Sequence, residues 1–146
     1  MEIKIKKLRE DARVPLRATA GSAGADLYAL TDEPVTLEPG GSYTFPTGIA
    51  IELPAPDLAA FVFARSGLAC KHGISPANCV GVIDSDYRGE IKVCLVNNYN
   101  EAFTVEPGER IAQLVVMKVG LPVFTVSEEI SETERGAGGF GSTGSK

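Results

Sequence analysis

The chain reads as an all-β domain, a jelly-roll-like sandwich or barrel of many short strands, followed by a flexible glycine-rich C-terminal arm. Three observations predict this class. The 146 residues include 16 Gly and 9 Pro, a composition that demands many turns. Turn signals recur along the chain at Thr31-Asp32-Glu33-Pro34, Glu38-Pro39-Gly40-Gly41, Pro54-Ala55-Pro56-Asp57, Asn97-Asn98-Tyr99-Asn100 and Glu106-Pro107-Gly108-Glu109. No segment sustains an amphipathic helical period over three turns.

The N-terminal stretch Met1-Glu2-Ile3-Lys4-Ile5-Lys6 alternates, which fits a strand and not the apolar block of a signal peptide. Residues 42–51, 59–64, 110–119 and 123–127 are rich in β-branched and aromatic side chains and predict strands. Residues 57–63 admit a short helical turn as an alternative. Ile91, Val93 and Leu95 alternate with Lys92, Cys94 and Val96, so a strand there puts the first three on one face. From Glu132 onward there is no periodicity, and the run Arg135 to Gly144 holds a single Phe and a single Arg among its glycines. The reading is one β domain over residues 1–128 and an arm over residues 129–146.

A net charge of −5 excludes a general electrostatic footprint for long nucleic acid, while leaving room for a local anion site. No apolar run approaches the ~20 residues that span a bilayer, so no membrane role and a cytoplasmic location are expected. Cys70, Cys79 and Cys94 form no C-x-x-C pair and are expected as buried apolar thiols in a reducing compartment. His72 is the sole histidine, which leaves no multi-histidine metal site and favours a structural or surface role.

Four segments carry candidate chemistry. Gly136, Gly138 and Gly141 spell G-x-G-x-x-G, but too little chain follows for a dinucleotide-binding unit, and Ser142 stands where a Walker loop needs Lys. What survives is a set of close-approaching backbone amides, the hydroxyls of Ser142 and Thr143, the cation of Arg135 and the stacking face of Phe140. In Gly81-Val82-Ile83-Asp84-Ser85-Asp86-Tyr87-Arg88-Gly89, Asp84 and Asp86 would share a face of an extended chain as paired ligands; alternatively Asp86 opens a turn through Gly89. Asp84 ends an apolar run, where a partly desolvated carboxylate suits general-base work on water. Arg65-Ser66-Gly67 follows the apolar Phe61-Val62-Phe63 as a polar corner, either a solvated surface charge or an anion cradle.

Together with Ala23-Gly24-Ala25-Asp26-Leu27-Tyr28-Ala29 and Pro107-Gly108-Glu109-Arg110-Ile111-Ala112-Gln113-Leu114, these segments resemble the five ordered motifs of the homotrimeric dUTP pyrophosphatases, over nearly the whole chain. The resemblance implies a jelly-roll-like fold, a homotrimer with shared sites, an arm closing over a neighbouring subunit, and Mg²⁺-dependent hydrolysis of dUTP to dUMP and pyrophosphate. That activity would limit uracil incorporation into DNA and supply dUMP for thymidylate synthesis.

It also implies roles. Asp84 would activate the water and Tyr87 would pack on the deoxyribose. Asn78, Gly81, Val82 and Ile83 would read the uracil edge, with Lys92 a further substrate contact. Arg65, Ser66, Gly67 and Gln113 would meet the phosphate chain. Arg135, Gly141, Ser142 and Thr143 would close on it, and Phe140 would stack on the base. Asp26 would act on the Mg²⁺ hydration shell through water, or on the arginine network. Ala64 departs from the family, whose second motif commonly has Pro there; the change frees the local backbone without removing a phosphate donor. A dCTP deaminase of the same fold and a nucleotide-responsive regulatory protein are the alternatives.

Overall fold

A computed structural model describes residues 1–139. Phe140, Gly141, Ser142 and Thr143 lie outside the described residues. The elements run β1 (Lys4–Lys7), β2 (Ala25–Tyr28), β3 (Val35–Leu37), β4 (Ser42–Pro46), β5 (Ile49–Glu52), β6 (Leu58–Phe63), α1 (Ser66–His72), β7 (Ile74–Pro76), β8 (Gly81–Ile83), β9 (Lys92–Asn97), β10 (Phe103–Val105) and β11 (Arg110–Lys118). All strand pairings are antiparallel: a sheet β2-β11-β6-β8, a sheet β4-β9-β7, and the pairs β1-β5 and β10-β3. They enclose one core containing Leu27, Phe45, Ile49, Ile74, Leu95, Val105 and Ile111, each almost fully buried. This is the jelly-roll-like architecture expected.

The alternation in β9 holds, with Val93 and Leu95 buried, Ile91 buried just before the strand, and Lys92 exposed. In β11 the pairing register with β2 shifts between Arg110 and Ala112, and this bulge lets the consecutive Ile111 and Ala112 both face the core. The stretch 42–51 divides at Thr47-Gly48. Gly48 has φ 68°, and an added Cβ would lie 2.3 Å from Leu30 Cδ2, so only glycine fits.

Several expectations fail for identifiable reasons. Residues 57–63 form no helical turn, because β6 is claimed by ladders on both sides, to β11 and β8. The segment 123–127 is not a strand; Val123, Phe124 and Val126 are almost fully exposed, and β-propensity without a partner strand does not make a sheet. Arg65-Ser66-Gly67 is the start of α1 rather than a bare corner: Arg65 is its extended N-cap, and Gly73 ends it in the left-handed region at φ 68°. At seven residues this helix is too short to register as a period over three turns. The thiols of Cys70 and Cys79 are exposed and that of Cys94 is half-buried, so none is the buried apolar thiol expected.

Candidate active site

The β7–β8 turn, β8, the following turn and β9 surround a cavity of about 320 Å³. Asn78, Gly81, Val82, Ile83, Asp84, Tyr87 and Lys92 all line it, alongside Glu90 and Cys94. Each is placed by local backbone geometry. Asn78 sits in a turn tied to β9 by the Ala77 N–H donating to the Cys94 carbonyl at 2.8 Å, with Cys79 at φ 62°. Gly81 lets the turn lie against β6: an added Cβ would stand 3.1 Å from Val62 Cβ and 3.7 Å from Asn78 Nδ2. Val82 projects outward while Ile83 enters the core, as strand alternation requires.

Asp84 directly follows β8 and is exposed in this chain, so the desolvation expected from the apolar run is not met within one chain. The turn here opens at Asp84, not Asp86, since the Tyr87 N–H donates to the Asp84 carbonyl at 3.2 Å. Asp86 is therefore a turn residue, as the alternative reading has it. Tyr87 is half-exposed over the cavity, its hydroxyl donating to the Glu90 carbonyl at 3.0 Å. A Cβ on Gly89 would lie 2.4 Å from that hydroxyl, so glycine keeps the ring in place.

Arg65, Ser66, Gly67 and Gln113 line none of this cavity. They gather instead at β11, where Gln113 pairs with Asp26 on one side and Phe63 on the other, bringing the chain leaving β6 past Arg110. Asp26 is buried between two guanidiniums: Arg65 Nε stands 3.2 Å from its Oδ1 and Arg110 Nη1 3.2 Å from its Oδ2. The Arg65 contact lacks hydrogen-bond alignment, and both atoms are otherwise without a partner; the attraction is Coulombic and survives poor alignment. Arg65 Nη1 also donates to the Arg110 carbonyl at 2.9 Å. One carboxylate and two cations leave a net positive cluster beside exposed Ser66 and Gly67, a chemistry suited to phosphate. The surface-charge reading of Arg65 thus gives way to a held guanidinium. Arg110 and Glu90 were not singled out from sequence; Arg110 lies inside the fourth motif, and nothing in the local pattern marks Glu90.

Arg135 stands apart, in an exposed segment where its Nε donates to the Gly138 carbonyl at 2.9 Å. His72 is exposed, its ring centroid 4.8 Å from that of Phe103, in keeping with a surface role. Among the described residues no group of three His, Cys, Asp or Glu converges to hold a metal, and no helix is long and apolar enough to cross a membrane.

The dUTPase family model matches residues 10–144. The chain belongs to the dUTPase family. Deoxyuridine 5'-triphosphate nucleotidohydrolase of Desulfitobacterium hafniense is 52% identical over 146 residues, covering 99% of this chain and 97% of that one. The enzyme of the same name from Hahella chejuensis is 52% identical over 141 residues, covering 97% and 93%. Among solved structures, the Staphylococcus bacteriophage 80alpha dUTPase with dUPNHPP superposes with a TM-score of 0.87 at 29% identity, covering 98% of both chains. The dUTPase motifs thus lie on a dUTPase fold, divided between a cavity and a separate arginine cluster.

Proposed function

We propose that this chain hydrolyses dUTP to dUMP and pyrophosphate, limiting uracil incorporation into DNA and supplying dUMP for thymidylate synthesis. The observation that carries the reading is one cavity that collects Asn78, Gly81, Val82, Ile83, Asp84, Tyr87 and Lys92 from two turns and two strands. In it, Asn78 and the β8 backbone read the uracil edge, and Tyr87 packs on the deoxyribose where a 2′-hydroxyl would need room. Asp84 takes a proton from water, whose oxygen bonds to the α-phosphorus in line as the bond to the bridging oxygen breaks and pyrophosphate leaves. No covalent enzyme intermediate is required.

Arg65, Ser66, Gly67 and Gln113 hold the phosphate chain. Arg135, Gly141, Ser142 and Thr143 close on it and Phe140 stacks on the base, the arm of residues 129–146 acting as a unit distinct from the β domain. Because the cavity and the arginine cluster do not share walls within one chain, and because Val123, Phe124, Val126 and Ile130 lie exposed, we infer a homotrimer in which copies complete each other's sites. Sedimentation analysis tests this, and a monomer that retains full activity overturns it.

Asp26 does not fit as a direct ligand of Mg²⁺, since both its oxygens face guanidiniums and it is buried. Mg²⁺ brought with the triphosphate would offset phosphate charge, and Asp26 would bear on it through the arginines or through water. The deciding experiment is pyrophosphate release from dUTP with Mg²⁺ by the wild type and Asp84→Ala. Equal rates would exclude the mechanism, and deamination of dCTP would move the chain to the deaminase reading.

A further inference from the structure

Glu90 lines the nucleoside cavity although no recognised motif residue occupies its position. Its side chain is largely buried, with 22% exposed, an expensive setting for a carboxylate unless it is paired. One oxygen is committed to the scaffold: the Gly48 N–H donates to Glu90 Oε1 at 2.8 Å. Gly48 is itself immovable, being buried at positive φ with Leu30 and Ala12 packed where a Cβ would be. The other oxygen, Oε2, stands 3.7 Å from Lys92 Nζ, and the Glu90 carbonyl receives the Tyr87 hydroxyl. A single residue thus ties two substrate-facing side chains to the β4–β5 turn.

We propose that Glu90 is a positioning residue that tethers the Lys92 ammonium at the cavity and so sets the affinity for the nucleotide. A lysine with 56% of its side chain exposed samples many rotamers unless something directs it. The rigidly anchored carboxylate supplies that direction. Among the described residues lining the cavity, Lys92 is the one basic side chain, set against the acidic Asp84 and Glu90, so phosphate is left to the arginine cluster. The inference rests on the proposed dUTP reading for its kinetic consequence but not for the tether.

Glu90→Gln is the informative variant, because its amide oxygen can still accept from Gly48 while the negative charge facing Lys92 is lost. Expected is a KM for dUTP raised about 3- to 5-fold, the range a half-exposed ion pair allows, with the change in KM and not in kcat. Lys92→Met should raise KM comparably, and the double variant should be no worse than either single one. A fall in kcat, a lowered KM or additive effects would overturn the proposal. Glu90→Ala, which also strips the Gly48 acceptor, should lose thermal stability that Glu90→Gln keeps. Independently of activity, Lys92 should react with an acetylating N-hydroxysuccinimide ester about 3-fold faster in Glu90→Gln than in wild type, read by mass spectrometry. Equal labelling removes the tether even if dUTP is the substrate, whereas a failed dUTP assay with faster labelling removes the substrate reading alone.

Discussion

The cavity beside β8 and the arginine cluster are built in opposite ways. The cavity's candidate site residues come from a short span, Asn78 to Lys92, shaped by turns and by one strand's alternation, and most of them are exposed or half-exposed. The cluster joins Asp26, Arg65 and Arg110 from three parts of the chain around a buried carboxylate. Change in the cavity should therefore alter chemistry and leave the fold intact. Change in the cluster should cost both.

The largest expected effect tests the first half of that contrast. Asp84→Ala should lower kcat by roughly 10²–10⁴-fold, the range of a lost general base, with an unchanged urea midpoint because the side chain is exposed. A shifted midpoint would erase the distinction. Deleting residues 129–146 should likewise abolish turnover, since it removes Arg135 and the proposed phosphate-closing groups, while the circular dichroism spectrum of the β domain persists.

Asp26→Asn tests the second half. It leaves two guanidiniums without their anion, and since both are partly exposed the loss should fall near the low end of about 3–5 kcal/mol, measured by urea unfolding, together with weakened dUTP binding. Retention of stability would make the cluster as dispensable to the fold as the cavity. The smallest effect sharpens the cavity: Gly89→Ala should push the Tyr87 ring from its place, lowering discrimination of dUTP over UTP by about 10-fold while changing stability by under about 0.5 kcal/mol. The ring end is free to move, which is why the fold should not register the change.

The all-β class and the face presented by Ile91, Val93 and Leu95 were legible because turn residues and side-chain alternation act between near neighbours. The candidate site was legible for a different reason: its motifs are contiguous, so Asp84 and Tyr87 could be nominated without coordinates, whereas Asn78 came only with the family resemblance. α1 was missed because two turns are too few to show a period. The strand expected over 123–127 was wrong because composition describes a capacity to pair and not the presence of a partner.

By itself, then, the sequence determined the short strands, the turns between them and the ordered motifs of a dUTPase. Only the tertiary structure decided that Asp26 meets Arg110 across 84 residues and that Glu90 meets Gly48 across 42. Those partners are chosen by strand register and by which backbone groups the core leaves unpaired, and neither quantity is written in any local run of residues.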